Sequence, residues 1–118
     1  MNKPRIAIDE FSKIDVQIGT VQSAERVPET DKLLRLTVDF GEVGADGVSR
    51  PRQIVSGIAA YVADPASLVG RQLAFVTNLE PRTIRGLESD GMLFAVGSGE
   101  TFAFVTPDRP VPPGTSAH

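Results

Sequence analysis

Leu34, Leu36, Val38 and Phe40 alternate with Arg35, Thr37 and Asp39. Strict period-two alternation predicts a strand with one buried face, and each fully buried large apolar side chain contributes about 2 kcal/mol. Residues 15–22 alternate as far as Gly19, where the apolar phase slips from Val16 and Ile18 to Val21. A glycine at a phase slip predicts a β-bulge at that position. Residues 28–32 read as a connecting loop, 41–47 as a long mobile connection and 52–58 as a third strand. Asp64, Pro65 and Gly70 stand where a short helix or single turn has its cap, its first residue and its stop. The apolar runs 72–77 and 91–96 read as buried strands, and 101–105 as a further strand after a turn. Ile8, Phe11 and Ile14 have the spacing of a short helix or turn. The tail from Thr106 holds four of the nine prolines and is excluded from central strands and helices.

This order, three strands, a short helix, two strands and one extra strand, predicts an all-β chain. So few strands leave their edges exposed unless the sheet closes into a barrel. A helix between the third and fourth strands of a five-stranded barrel is the arrangement of the OB-fold, which lays oligonucleotides across strands two and three and the adjacent loops. An immunoglobulin-like sandwich needs about seven strands and gives no reason for the helix. Neither repeats nor linkers divide the chain, so a single domain is expected over 1–118, with flexible ends at 1–8 and 115–118.

Composition narrows the chemistry. The chain of 118 residues is 41% hydrophobic and 23% charged, with no cysteine and one histidine, His118. Disulfides, thiol catalysis, histidine triads and multi-histidine metal sites are therefore out of reach of one chain. Gly41, Gly44 and Gly47 lack the lysine and hydroxyl of a phosphate-cradling loop. No carboxylate pair has an evident apolar pocket, so no enzyme activity and no cofactor are expected. Apolar runs fall far short of the ~20 residues of a membrane span. The start lacks a secretory signal. A cytoplasmic protein without membrane association is the expectation.

Charge is unevenly spread. From Arg50 to Gly86, five arginines face Asp64 and Glu80, a local +3, whereas the seven basic and thirteen acidic residues elsewhere give −6. An acidic chain with a basic middle can direct that middle at an anionic partner. Residues 78–92 concentrate the candidate chemistry. Arg82 and Arg85, three apart, would face one way on a helical turn and grip separate phosphates. Asn78, Thr83 and Ser89 can hydrogen-bond phosphate, ribose or base edges, although Asn78 also suits a turn and Ser89 a local cap. Met92 suits either a nucleoside contact or the core. Phe40, Phe75 and Phe94 lie in apolar runs and are expected in the core. Phe102 and Phe104 share a strand face suited to the core or a subunit contact. Tyr61 alone is free to meet a base, so there is no aromatic ladder for general single-strand binding.

Asp31-Lys-Leu-Leu34, Arg52-Gln-Ile-Val-Ser-Gly-Ile58, Asn78-Leu-x-Pro81, Arg85-Gly-x-x-Ser-x-Gly-Met92 and Thr106-Pro-Asp-Arg-x-Val-Pro-Pro-Gly-Thr115 occur in order. Together, over about residues 9–114, they resemble the tRNA-binding domain family of OB-fold modules. That family includes the C-terminal domain of bacterial methionyl-tRNA synthetases, stand-alone tRNA-binding proteins and chaperone-like CsaA proteins. The resemblance implies a non-catalytic homodimer, joined through its terminal segments, that grips folded tRNA by shape and assists an aminoacyl-tRNA synthetase in trans. It also implies an alternative, a CsaA-like chaperone or protein-interaction dimer. It assigns binding to Lys32, Arg52, Ser56, Asn78, Arg85, Ser89 and Met92; Arg82 joins them on charge and geometry alone. Glu80 and Thr83 stand where family members often carry basic residues, and the chain has three lysines. Modest affinity and a shallow salt dependence follow.

Overall fold

The computed structural model of the chain describes residues 2–118. Its organising element is β1 (Val16–Arg26), eleven residues long. The first half, residues 16–20, pairs antiparallel with β4 (Gln72–Val76). The second half, residues 20–26, pairs with β2 (Leu34–Asp39). One strand can serve both neighbours because it bends at a register shift between Val21 and Ser23. The bulge thus lies at Gln22, not at Gly19 as the phase slip predicts. Gly19 has a different task. A Cβ there would overlap the Val38 side chain and come within 2.7 Å of Cε1 of Phe40. The glycine lets β1 cross directly over the end of β2.

β2 pairs in turn with β3 (Arg52–Ser56). Leu34, Leu36 and Val38 are wholly buried, and the alternation read from the sequence is reproduced. Between β3 and β4 the chain makes two short 3-10 turns, Ala59–Tyr61 and Pro65–Leu68. Asp64 caps the second by accepting from the Ala66 amide at 3.1 Å, as its sequence signals require. After β4 come a hairpin, β5 (Arg82–Ile84) and β6 (Leu87–Ser89), and then β7 (Met92–Leu93), which returns to β4. The sheet order β3-β2-β1-β4-β7 makes a nearly closed five-stranded barrel, the OB-fold. Its core is the Val21, Leu34, Leu36, Val38, Ile54 and Phe75 cluster. Among the described residues, no helix is long and apolar enough to cross a membrane.

The run 91–96 is not one buried strand. It splits into β7 and β8 (Ala95–Val96), the latter paired with β9 (Ala103–Phe104). Met92, Phe94 and Val96 face outward, so Phe94 leaves the expected core while Phe40 and Phe75 stay in it. The extra strand 101–105 shrinks to β9 because residues 99–101 form a 3-10 turn. The prolines hold the tail off the sheet until β10 (Ser116–Ala117) pairs with the start of β1. At the other terminus α1 (Ile8–Phe11) forms as spaced.

One end of the barrel is locked by Arg52. Its Nε and Nη2 donate to the two carboxylate oxygens of Glu42 at 2.8 Å each, and Nη1 donates to the Thr77 carbonyl at 2.7 Å. The guanidinium also lies 5.4 Å from the Phe40 ring centre. The Arg52 hydrogen bond holds the Glu42 carboxyl below its usual 4.5, against the opposing effect of burial.

A group whose folded-state pKa is depressed stabilises the fold above its unfolded value and stops doing so as pH falls through the folded one. Thermal unfolding of Glu42→Gln should therefore lie below wild type at pH 7, the gap closing as the pH is taken below about 4.5. A gap independent of pH would contradict the clamp. Gly19→Ala should lose about 1–3 kcal/mol in denaturant titrations through overpacking, and an unchanged midpoint would contradict the close crossing.

Candidate nucleic-acid interface

Ile84 and Leu87 pair across the tip of the β5–β6 hairpin, leaving Arg85 and Gly86 as a two-residue turn. Both have positive φ, 52° and 79°, the geometry whose twist matches the flanking strands. Glycine takes it without strain, whereas an arginine there costs about 1 kcal/mol. Residues 78–92 therefore form a hairpin, and Arg82 and Arg85 do not share a helical turn as their spacing suggested. Arg82 opens β5 and Arg85 sits at the tip, both exposed.

The hairpin is fastened along the free edge of β3. The Asp90 amide donates to the Gln53 carbonyl at 2.8 Å, and Gln53 Nε2 donates to the Glu88 carbonyl at 2.9 Å. Ser89 supplies the central bracket: its Oγ accepts from the Val55 amide at 3.0 Å and donates to the Gly91 carbonyl at 3.1 Å. Only 4% exposed, Ser89 is neither a local cap nor placed to reach an RNA. Arg52 is similarly committed, its side chain 19% exposed and ion-paired with Glu42. Asn78 is exposed, but both ends of its amide are used. Its Oδ1 accepts from the Asp15 amide at 2.8 Å and its Nδ2 donates to the Lys13 carbonyl at 2.6 Å. Asn78 ties the N-terminal segment to the end of β4.

The remaining candidates are differently placed. Lys32 is exposed on the β1–β2 loop, whose shape is held by the Ala59 amide donating to the Lys32 carbonyl at 3.1 Å. Ser56, half-buried, lies opposite Leu34 at the same end of the sheet. Arg52 begins β3, roughly 13 Å away along the strand at ~3.3 Å per residue. Arg82, Ser89 and Met92 border one small hollow beside Val55, with Met92 45% exposed. The eight residues thus divide into a brace of Arg52, Asn78 and Ser89 and a solvent-facing set of Lys32, Arg82, Arg85 and Met92, with Ser56 between them. Tyr61, expected to be free, stacks one face on Phe102 at 4.1 Å.

Two further arginines escaped sequence reasoning. Arg26 and Arg35 join Arg85 around a cavity of about 360 Å³ between the β1–β2 loop and the hairpin tip. Alternation along β2 already pointed Arg35 outward; only the folded hairpin brings Arg85 to it.

The chain matches the family described as "Putative tRNA binding domain" over residues 16–116. A methionine–tRNA ligase of Methanosphaerula palustris is 48% identical over 110 residues, covering 93% of this chain and 15% of that protein. The chain thus spans about 15% of the length of the curated relatives it matches. Among solved structures, a protein related to methionyl-tRNA synthetase from Pyrococcus horikoshii superposes with a TM-score of 0.85 at 33% identity, covering 98% of this chain and 100% of that one. The chaperone CsaA from Bacillus anthracis superposes with 0.79 at 28% identity, again over 98% and 100%. A match over this much of the length makes the chain a member of the tRNA-binding domain family.

Proposed function

We propose that this domain binds folded tRNA without catalysing any bond change, through the end of the barrel where the β5–β6 hairpin meets the β1–β2 loop. The observation that carries the reading is Arg85. A two-residue turn spends backbone strain on an exposed residue whose side chain makes no hydrogen bond or ion pair among the described residues, and strained positions collect where a side chain must be presented to a ligand. Arg82 lies on the same hairpin and Lys32 on the loop at that end. An A-form duplex presents phosphates and 2′-hydroxyls where bases are hard to read, so separated cations on a fixed frame suit recognition by contour. In a cytoplasmic setting, delivery of tRNA to a methionyl-type synthetase in trans fits the likeness to the ligases and the stand-alone protein.

Three exposed cations set a scale for salt dependence, with log K falling by about 3 per decade of salt for each protomer. Asparagine tolerates left-handed backbone better than arginine, so Arg85→Asn removes the charge without loosening the turn. It should weaken tRNA binding five- to tenfold and reduce the salt slope by about 1, with an unchanged or higher melting temperature. Equal affinity for wild type and variant, or no wild-type binding at low salt, would overturn the reading.

The domain acts as a homodimer in this proposal. Ile6, Ile8, Phe11 and Ile14 on the N-terminal segment are 48% to 74% exposed, and Phe94 is 44% exposed. A second copy covering them would also double the basic loops facing one RNA. Light scattering should give twice the 12.6 kDa of one chain, and Phe11→Asp should reduce it to one. A wild type that suppresses aggregation of unfolded proteins and binds no tRNA would instead favour the CsaA-like dimer for these apolar residues.

A further inference from the structure

The cavity between the β1–β2 loop and the hairpin tip has the make-up of a binding site. At about 360 Å³ it lies within the ordinary range of small-ligand pockets. Arg26, Arg35 and Arg85 line it beside the single acidic residue Glu25, with Val27, Pro28 and Leu87 as its apolar residues. A concave site with excess positive charge concentrates anions more strongly than the same charges on a flat surface.

The three arginines are held in different ways. Arg26 is anchored through Nη2, which donates to the carbonyls of Val62 and Ala63 at 3.2 Å each. Arg35 donates through Nε and Nη2 to one oxygen of Glu25. The side chains of that pair are 40% and 54% exposed, so the pair contributes little to stability and is easily exchanged. Arg85 is carried to the cavity by the left-handed turn.

Resting on the tRNA-binding reading, we propose that this cavity is a nucleotide subsite, taking one phosphate-bearing nucleotide unit of the bound RNA. The phosphate lies between Arg85 and Arg35, displacing the Glu25 carboxylate from Arg35. The sugar and base edge pack on Pro28 and Leu87. Glu25 thus holds the place of the phosphate while the site is empty, which keeps the cavity open and preset for a forked anion contact. Purely surface phosphate contacts would require neither the apolar walls nor the internal carboxylate.

Two variants test the subsite by opposite effects. Arg35→Gln removes a phosphate ligand and should weaken tRNA binding about fivefold, with a salt slope lower by about 1. Glu25→Gln removes the internal competitor and should tighten binding at low salt about two- to fivefold. Circular dichroism melting verifies that both remain folded. If wild type binds tRNA and Arg85→Asn weakens it while Arg35→Gln and Glu25→Gln bind like wild type, the subsite is overturned and the tRNA reading stands. If wild type binds no tRNA, both fall. Amide NMR titration supplies the second readout. A nucleoside 5′-monophosphate should shift the Gly86 and Leu87 amides in wild type and not in Arg35→Gln. Shifts there with an acidic peptide, and none with the nucleotide, would overturn the subsite in favour of a protein ligand.

Discussion

Everything at the candidate interface depends on how the free edge of β3 is closed. A five-stranded barrel with so short a third strand has unpaired amides along that edge, and leaving them buried and unpaired would cost about 1–3 kcal/mol each. Regular strand pairing does not supply the partners. The Ser89 hydroxyl takes the Val55 amide and the Asp90 amide takes the Gln53 carbonyl, while the Gln53 side chain donates across to the Glu88 carbonyl. Closure by side chains fixes the hairpin at its base and leaves its tip outside the sheet. A two-stranded ribbon alone is marginal in water; anchored along β3, it becomes a rigid arm with Arg82 and Arg85 on it.

The same constraint separates two kinds of residue that look alike in the motif. Arg52 and Arg85 are both arginines in family-like segments, yet one is enclosed by Glu42, the Thr77 carbonyl and the Phe40 ring, and the other meets solvent. Ser89 and Asn78 offer hydrogen-bonding groups that would suit RNA, but each has both of its polar functions engaged within the fold. These three fix the frame that carries the hairpin. A substitution at any of them would disturb binding through the frame, so loss of affinity alone would not distinguish the brace from the contact surface; the retained melting temperature of a turn variant does.

How much was legible in the sequence follows from the range of each interaction. β2 was readable because alternation is local, and Leu34, Leu36 and Val38 are buried where it places them. The capped turn at Asp64 was readable for the same reason. The bend in β1 was half readable: a glycine marked the region, but what it answers to is Val38 and Phe40 on another strand, while the bulge falls where β1 changes partners. The burial of Ser89 was not readable, since its partner amide at Val55 is 34 residues away. Nor was the neutralisation of Arg52 by Glu42, which needs β3 folded back beside the loop after β2. The hairpin carried a local sign, with Arg85-Gly86 between Ile84 and Leu87, but the three-residue spacing of two arginines suggested a helix instead. Phe94 departs from the core that an apolar run of six predicts, because Met92, Phe94 and Val96 face outward.

The chain's acidity bears on specificity as well as strength. A net charge of −3 leaves an acidic remainder that would repel a polyanion anywhere but at the proposed contact end. Attraction alone would allow an RNA to lie against the domain in many orientations with similar energy. Repulsion from the acidic remainder removes most of those, since juxtaposed like charges penalise wrong alignments and fix register more than they add affinity. With few cations at the proposed contact end, counterion release contributes little, and the contour of the ligand must supply the discrimination that charge density does not. A braced hairpin, the proposed nucleotide cavity and the acidic remainder of the chain form a consistent arrangement for that task. Adding lysines to the domain would raise affinity while eroding the orientation on which shape recognition depends.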